Sequence, residues 1–163
     1  MPDVFGLELS LRGLLRGKSL LGEVAFTEIQ CDQAADVFRK AIAQHGLTAS
    51  LRGARQKCPA LFALWLVNEA FYRYDGSFWP PVLEKIGVQH SVLSSHLGQT
   101  FLDILDDLKL PRFRRLNTRW SYLGPILAHC GIPRSVLPEF FGKVLPVGAR
   151  LGIITIHAQN IGS

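Results

Sequence analysis

The sequence has little cysteine and no paired cysteine spacing. Its three cysteines, Cys31, Cys58 and Cys130, are an odd number, and none belongs to a C-x-x-C motif. Disulfide-stapled secreted domains and closed zinc sites both need such pairs. The cysteine content therefore argues against both, and it favours free thiols in a reducing compartment. We expect a cytoplasmic protein.

The chain also lacks an apolar run long enough to cross a membrane. Its longest uncharged stretch lies between Lys85 and Asp103 and is interrupted by glutamine, histidine and serine. A membrane-spanning helix needs about 20 mainly apolar residues. The N-terminus carries Asp3 and Glu8 where an export signal carries basic residues. These absences predict a soluble protein with no membrane partner.

No motif for a cofactor or a metal is complete. Gly17-Lys18-Ser19 supplies the last three residues of a phosphate-binding loop, but Arg12 stands where that motif needs its first glycine. The histidines have no H-x-x-x-H spacing. We therefore expect no cofactor, no metal site and no catalytic constellation.

Two groups of titratable residues have a chemical and a structural interpretation. Asp103 and Asp107 have i, i+4 spacing, which suits paired carboxylates, but their alternation with leucine and isoleucine is typical of the solvated face of an amphipathic helix. His129 is adjacent to Cys130, yet neighbouring residues on a helix point in different directions. We favour the structural interpretation for both.

What the sequence does contain is core material in a helical pattern. Of its 163 residues, 48% are hydrophobic and 19% are charged, which is typical of a folded domain. Apolar residues recur at helical spacing, with a helix capped by Thr27 and ended by Gly46, and a central helix that begins at Pro59. We predict buried positions for Trp65 and Phe101 on these helices.

The fold predicted from this pattern is an all-α orthogonal bundle of five to seven helices. We interpret residues 1–163 as a single helical domain, with an N-terminal packing arm over residues 1–25 and a tail over residues 150–163. The segment from Gly53 to Lys57 is predicted as a basic loop. A helix is expected from Arg119 to Cys130, with Pro125 kinking it or dividing it into two turns. Residues 151–156 have the β-branched composition of a short C-terminal strand.

The positive charge is concentrated in one window. The net charge is +5, and the window from Lys109 to Arg119 contains five cations and no acid. Such a local field suits an anionic partner, although a solvated loop without a partner has the same composition. The residues that we predict to contact nucleic-acid phosphates are Arg112, Arg114, Arg115 and Arg119.

A dense aromatic group provides a second candidate surface. It runs from Phe71 to Trp79 and includes Arg73. Core packing explains most of its members. Tyr72, Tyr74 and Trp79 can also present a polar edge to a protein partner, and we predict them as the partner-binding residues.

Three stretches together resemble a known type of bacterial sequence. They are Tyr74-Asp75-Gly76-Ser77-Phe78-Trp79-Pro80-Pro81, then Gly124-Pro125-Ile126-Leu127-Ala128-His129-Cys130-Gly131-Ile132-Pro133, then Leu137-Pro138-Glu139-Phe140-Phe141. In this order they are similar to the helical N-terminal region of large bacterial proteins to which no activity is assigned. The resemblance covers about residues 58–141, and Cys130 stands where that pattern has a second glycine. It implies the leading module of a longer polypeptide, with a downstream domain of the same chain as a partner.

Taken together, these features predict a non-catalytic binding or adaptor module with a basic face that contacts nucleic acid. The alternative is a protein–protein interaction module that uses the aromatic surface. An enzyme would need His129 or the acidic residues of 103–107 to share one cleft with a second polar group.

Overall fold

A computed structural model describes residues 3–89, 93–113, 122–139 and 142 of the chain. Its helices, with two short 3-10 turns, are α1 (Val4–Leu15), a turn at Leu21–Glu23, α2 (Glu28–His45), α3 (Leu47–Lys57), α4 (Pro59–Arg73), α5 (Trp79–Lys85), α6 (Ser94–Asp107), α7 (Leu123–Cys130), a turn at Arg134–Val136, and α8 (Leu137–Glu139). These ranges contain no strand, so the all-α prediction is confirmed. None of the helices in them is long and apolar enough to span a membrane.

The ends of α2 and the start of α4 lie where local chemistry predicts them. The Thr27 side chain accepts the backbone N–H of Gln30, and the Gln30 side chain accepts that of Thr27, which forms a capping box. Gly46 ends α2 with a φ of +80°, a conformation that glycine adopts without strain. Pro59 is the first residue of α4, where its missing N–H costs no hydrogen bond.

The predicted basic loop from Gly53 to Lys57 was wrong, because these residues form the last turns of α3. Leu51 and Ala54 on this helix are buried, and Arg55 forms ion pairs with α6. Burial and ion pairing on one helical face outweigh the low helix propensity of the glycine at position 53.

Helix α4 is the centre of the molecule. Every residue from Pro59 to Ala70 is buried, and the helix contacts α1, α2, α3, α6, α7 and both 3-10 turns. Trp65 and Phe62 pack with Phe38 of α2 in a three-ring cluster whose centroids are 5.1 to 5.9 Å apart. Trp65 and Phe101 are both fully buried, as the sequence predicts.

The N-terminus of α4 is capped by a side chain from another helix. Cys58 at the cap position makes no side-chain bond, and the buried carboxylate of Glu8 on α1 accepts the backbone N–H groups of Ala60 and Leu61, both at 2.9 Å. Glu8 also accepts Arg12 Nε at 2.8 Å. A carboxylate suits a helix N-terminus, where unpaired N–H groups and the positive end of the dipole meet. The predicted packing arm is therefore a helix that docks on the core through this bond.

Two polar side chains of α4 fix the segment that connects the first 3-10 turn to α2. The Asn68 amide donates to the carbonyl oxygens of Val24 and Leu64, and it accepts the N–H of Phe26 at 2.8 Å. The Tyr72 hydroxyl donates to the Phe26 carbonyl oxygen at 2.7 Å. The backbone groups of this extended connection thus form their hydrogen bonds with side chains of α4.

Two glycines permit close contacts between elements. A Cβ at Gly98 of α6 would lie 2.4 Å from Cβ of Tyr122, just before α7, and a Cβ at Gly22 would lie 2.5 Å from the backbone oxygen of His129. Both positions therefore need the smallest residue. They set the distance at which α7 packs on the core.

The C-terminal predictions are tested only in part. The described part of the predicted helix is Leu123–Cys130, while Arg119 lies outside the described residues. Pro125 does not kink α7, because it lies in the first turn, where its N–H needs no helical partner. The expected strand and tail at residues 150–163 also lie outside the described residues.

The central packing gives a direct stability prediction. Trp65→Ala or Phe101→Ala should each lower the free energy of unfolding by about 3 to 5 kcal/mol, since each removes a fully buried aromatic ring and leaves a cavity. Urea unfolding measures this loss. A change below about 1 kcal/mol for either variant would contradict the core described above.

The α1–α4 cap gives a second prediction. Glu8→Ala should lower the free energy of unfolding by about 2 to 6 kcal/mol, because it leaves two buried N–H groups without an acceptor and each such group costs about 1 to 3 kcal/mol. Glu8→Gln retains one acceptor oxygen and should lose less. Glu23→Ala removes an exposed glutamate of the first 3-10 turn and should leave the urea midpoint unchanged. Equal effects of Glu8→Ala and Glu23→Ala would show that the cap contributes nothing.

Candidate nucleic-acid interface

The structure describes one of the four residues predicted to contact nucleic acid. Arg112 follows α6 and is held by Asp106, with Nε to Oδ1 at 2.8 Å and Nη2 to Oδ2 at 2.5 Å. Its guanidinium is therefore engaged with a carboxylate of its own chain. Arg114, Arg115 and Arg119 lie outside the described residues.

The acidic residues of α6 are paired with arginines on two sides. Arg55 of α3 donates to Asp103 at 3.1 Å and to both oxygens of Asp107, at 2.7 and 3.1 Å, while Asp106 accepts from Arg112. The bond from Arg55 lowers the pKa of Asp107 below its ordinary value. Within the described ranges no group of histidine, cysteine and acidic residues could hold a metal ion. These carboxylates thus join α6 to α3 and to the following loop.

Helices α3 and α6 run side by side in the same direction. Arg52 and Gln99 line one groove between them, and one turn further along Arg55 reaches Asp103 and Asp107. Lys57 ends α3, and Lys109 follows the end of α6. The same end of the helix pair therefore carries Lys57, Lys109 and the start of the basic window.

We call this surface the α3–α6 face. Its cations are Arg52, Arg55, Lys57, Lys109 and Arg112, and its acids are Asp103, Asp106 and Asp107. Arg52, Lys57 and Lys109 form no ion pair with any of the described residues. The face thus retains two positive charges in excess, and three of its cations are available to a ligand.

An open groove of about 440 Å³ runs along this face. Its polar lining comes from both helices and includes Thr48 and Arg52 on α3, and His96 and Gln99 on α6. Arg55 and Asp103, which form an ion pair, also line the groove, and Gln99 donates to Asp103 at 2.9 Å. The groove thus offers hydrogen-bond donors beside the guanidinium of Arg52, which pairs with no carboxylate of the described residues.

The predicted partner-binding aromatics are only partly exposed. Tyr72, Tyr74 and Trp79 pack against the core, and the Tyr72 hydroxyl bonds to Phe26. The guanidinium of Arg134 lies over the Tyr72 ring, 5.0 Å from its centroid, and also pairs with Glu28. Tyr72 is thus used inside the fold, and whether Tyr74 and Trp79 bind a partner stays a prediction.

His129 is a fully buried structural residue. Its Nδ1 accepts the backbone N–H of Leu21 at 3.1 Å, and its Nε2 lies 2.7 Å from the carbonyl oxygen of Pro111 and donates to it. Phe101 and Phe113 pack against the ring. Burial lowers the pKa of His129, and the bond to Pro111 offsets this only in part. The imidazole is therefore neutral and joins α7 to two other segments, as the structural interpretation predicts.

A buried ion network at α4 escaped the sequence analysis. Glu69 is 1% exposed, and its Oε1 accepts Trp65 Nε1 at 3.2 Å and Lys85 Nζ at 2.5 Å. Lys85 also binds Asp32 at 2.6 Å. Burial alone would lower the pKa of Lys85, but the bonds to Asp32 and Glu69 outweigh it and raise that pKa above the ordinary value. A lone Glu in an apolar helix was the signal for this network.

The cysteines are poor nucleophiles. Burial raises the pKa of Cys31 to about 12 and those of Cys58 and Cys130 to about 11. The thiolate is the reactive form, so these thiols are almost wholly protonated at neutral pH.

Comparison with known proteins gives no family. No protein-family model matches the chain, and no curated protein or solved structure matches it either. The resemblance to helical N-terminal regions of large bacterial proteins therefore stays a prediction.

The neutral state of His129 predicts a pH dependence of stability. Its folded pKa lies below the unfolded value of about 6.5, so its contribution is complete above about pH 6.5 and is lost as the pH falls below it. Urea midpoints should fall between about pH 7.5 and 5.5. Three carboxylates also have lowered pKa values, and they change the stability only at lower pH. They are Asp32, Asp36 and Asp107.

The matched variants for this experiment are His129→Gln and His96→Gln. His129→Gln should be less stable at neutral pH and lose most of the pH dependence, since glutamine does not titrate. His96 is exposed, so His96→Gln should keep the wild-type profile. A wild-type midpoint that is constant over this pH range would contradict the assigned role of His129.

Proposed function

We propose that the protein is a non-catalytic helical binding module whose basic α3–α6 face contacts nucleic acid. The observation that carries the proposal is the set of cations on this face that form no ion pair with a described residue. Arg52 and Lys57 come from α3, and Lys109 begins the basic window. Phosphate groups of a nucleic-acid backbone are the ligand that such a charged surface fits best.

The pairing of Arg112 with Asp106 changes the residues on which binding depends. A guanidinium that donates two hydrogen bonds to a carboxylate is attracted less strongly to a phosphate. We therefore assign the phosphate contacts to Arg114, Arg115 and Arg119, together with the cations Arg52, Lys57 and Lys109 of the α3–α6 face. Arg112 orients the start of the window through its bond to α6.

The absence of catalysis is supported by how the polar core residues are used. Among the described residues the buried polar side chains are Glu8, Asn68, Glu69 and His129, and each bonds to groups of the fold itself. None of them lines the groove of the α3–α6 face. All three cysteines are free, which fits a reducing compartment, and we propose a cytoplasmic location.

The alternative function, a protein-interaction module built on the aromatic surface, has less support. Tyr72 has its hydroxyl bonded and its ring covered, which leaves Tyr74 and Trp79. A downstream domain of a longer chain would be the partner that the bacterial resemblance implies.

A salt titration of binding tests the proposal. Affinity for a 20-base-pair duplex and for a 20-nucleotide single strand of mixed sequence is measured between about 50 and 300 mM salt. We expect log Kd to rise with log salt with a slope of about 0.9 per duplex phosphate neutralised, and little preference for sequence. Arg114→Ala/Arg115→Ala/Arg119→Ala should flatten the slope by up to about three such units.

A pair of charge-matched double variants separates this face from general electrostatics. Arg52→Ala/Lys57→Ala removes two unpaired cations from the face, whereas Arg39→Ala/Lys40→Ala removes two cations that pair with Asp36 on α2. Only the first should weaken binding and reduce the slope, with thermal melts as the folding control. No binding by wild type at low salt, or equal loss from both variants, would overturn the proposal.

A further inference from the structure

The exposed apolar side chains are concentrated on α1. Seven large hydrophobic residues of the described ranges are exposed, and Phe5, Leu7, Leu9 and Leu14 of α1 are four of them. Phe5 is 67% exposed and Leu9 and Leu14 are 56% and 57% exposed. Scattered exposed leucines are ordinary, but these four lie on one helix. At helical spacing Phe5 and Leu9 lie on one flank of its outer side and Leu7 and Leu14 on the other, so a helix that packs between the flanks contacts both.

The opposite side of α1 is firmly held. Glu8, Leu11 and Leu15 are buried, and Glu8 caps α4. The helix therefore presents a fixed outer face. Gly6, Ser10 and Gly13 lie along the middle of that face, and no atom of the described residues lies within 4 Å of where a Cβ of Gly13 would stand. Another helix can approach the backbone of α1 there.

The charges of α1 differ between its two ends. Asp3 caps the N-terminus, and Arg16 and Lys18 follow the C-terminus without an ion pair to any described residue. A second α1 in the parallel direction would place cation beside cation. In the antiparallel direction each Asp3 lies near the partner's basic end, and the two basic ends are separated by the helix length of about 18 Å.

We propose that α1 packs antiparallel against α1 of a second copy of this chain. A two-fold axis near Ser10 places Leu9 beside the same residue of the other copy and Leu7 opposite Leu14. Such a contact is self-complementary, as a symmetric dimer requires. Because a single helix pair buries less area than a standard interface, the dimer is weak, with a Kd on the order of 10 to 100 µM.

Sedimentation equilibrium over about 5 to 500 µM protein measures this association. Wild type should shift from monomer to dimer mass as its concentration rises. Leu9→Glu places a charge in the apolar contact and should raise the Kd at least tenfold. Ile29→Glu makes the same change at a residue of α2 that is 69% exposed, and its Kd should equal that of wild type.

A second variant distinguishes a loss of dimerisation from a folding defect. Gly13→Gln fills open space on α1, so its melting temperature should not fall, yet its side chain blocks the approach of a second helix. It should also raise the Kd at least tenfold. A wild type that is monomeric over the whole range would overturn the proposal, whatever else covers α1. Equal weakening by Leu9→Glu and Ile29→Glu would overturn it too.

Charge reversal determines the direction of the pair. Arg16→Glu/Lys18→Glu turns an attraction to Asp3 into repulsion in the antiparallel dimer and should weaken it several-fold at low salt. In a parallel dimer the same change replaces one like-charge pair by another and leaves the Kd nearly unchanged. An unchanged Kd would therefore reject the antiparallel arrangement. The nucleic-acid titration reports on α3 and α6, so the two proposals can fail separately.

Discussion

The bond between the Glu8 carboxylate and the first turn of α4 is the interaction on which the rest of the fold depends. Helix α4 is buried along nearly its whole length, so water cannot satisfy its N-terminal N–H groups. Glu8 supplies the acceptors from a helix more than 50 residues earlier in the chain. Other polar side chains of α4 hold the neighbouring elements. Asn68 and Tyr72 bond to the segment before α2, and Glu69 bonds to Lys85 of α5.

This dependence explains which parts of the fold could be predicted from the sequence. The ends of α2 and the start of α4 follow from Thr27, Gly46 and Pro59, whose effects act within a few residues. The burial of Trp65 and Phe101 follows from helical periodicity. Glu8 is buried as well, but nothing in the sequence around it distinguishes it from an exposed acid. Its role is set by a partner far along the chain.

The candidate site shows the same division. Local charge density predicts the basic window, but the pairing of Arg112 with Asp106 requires the loop to turn back on α6. The last turns of α3 resemble a loop in the sequence because Gly53 is a weak helix former within a cluster of cations. The burial of Ala54 and the pairing of Arg55 with α6 explain why the helix continues. The acids of α6 thus decide which cations of this face remain available.

Gly98 and Gly22 impose a constraint on how this sequence can diverge. The neighbour of Gly98 is the first side-chain carbon of Tyr122, and that of Gly22 is a backbone oxygen, so neither can move aside alone. A larger residue at either position requires a compensating shift of the whole α7 segment. A Cβ at Gly53 or Gly124 would have no atom of the described residues within 4 Å, so these two positions can accept larger residues. Among descendants of this chain, the first two glycines would therefore persist long after the other two had been replaced.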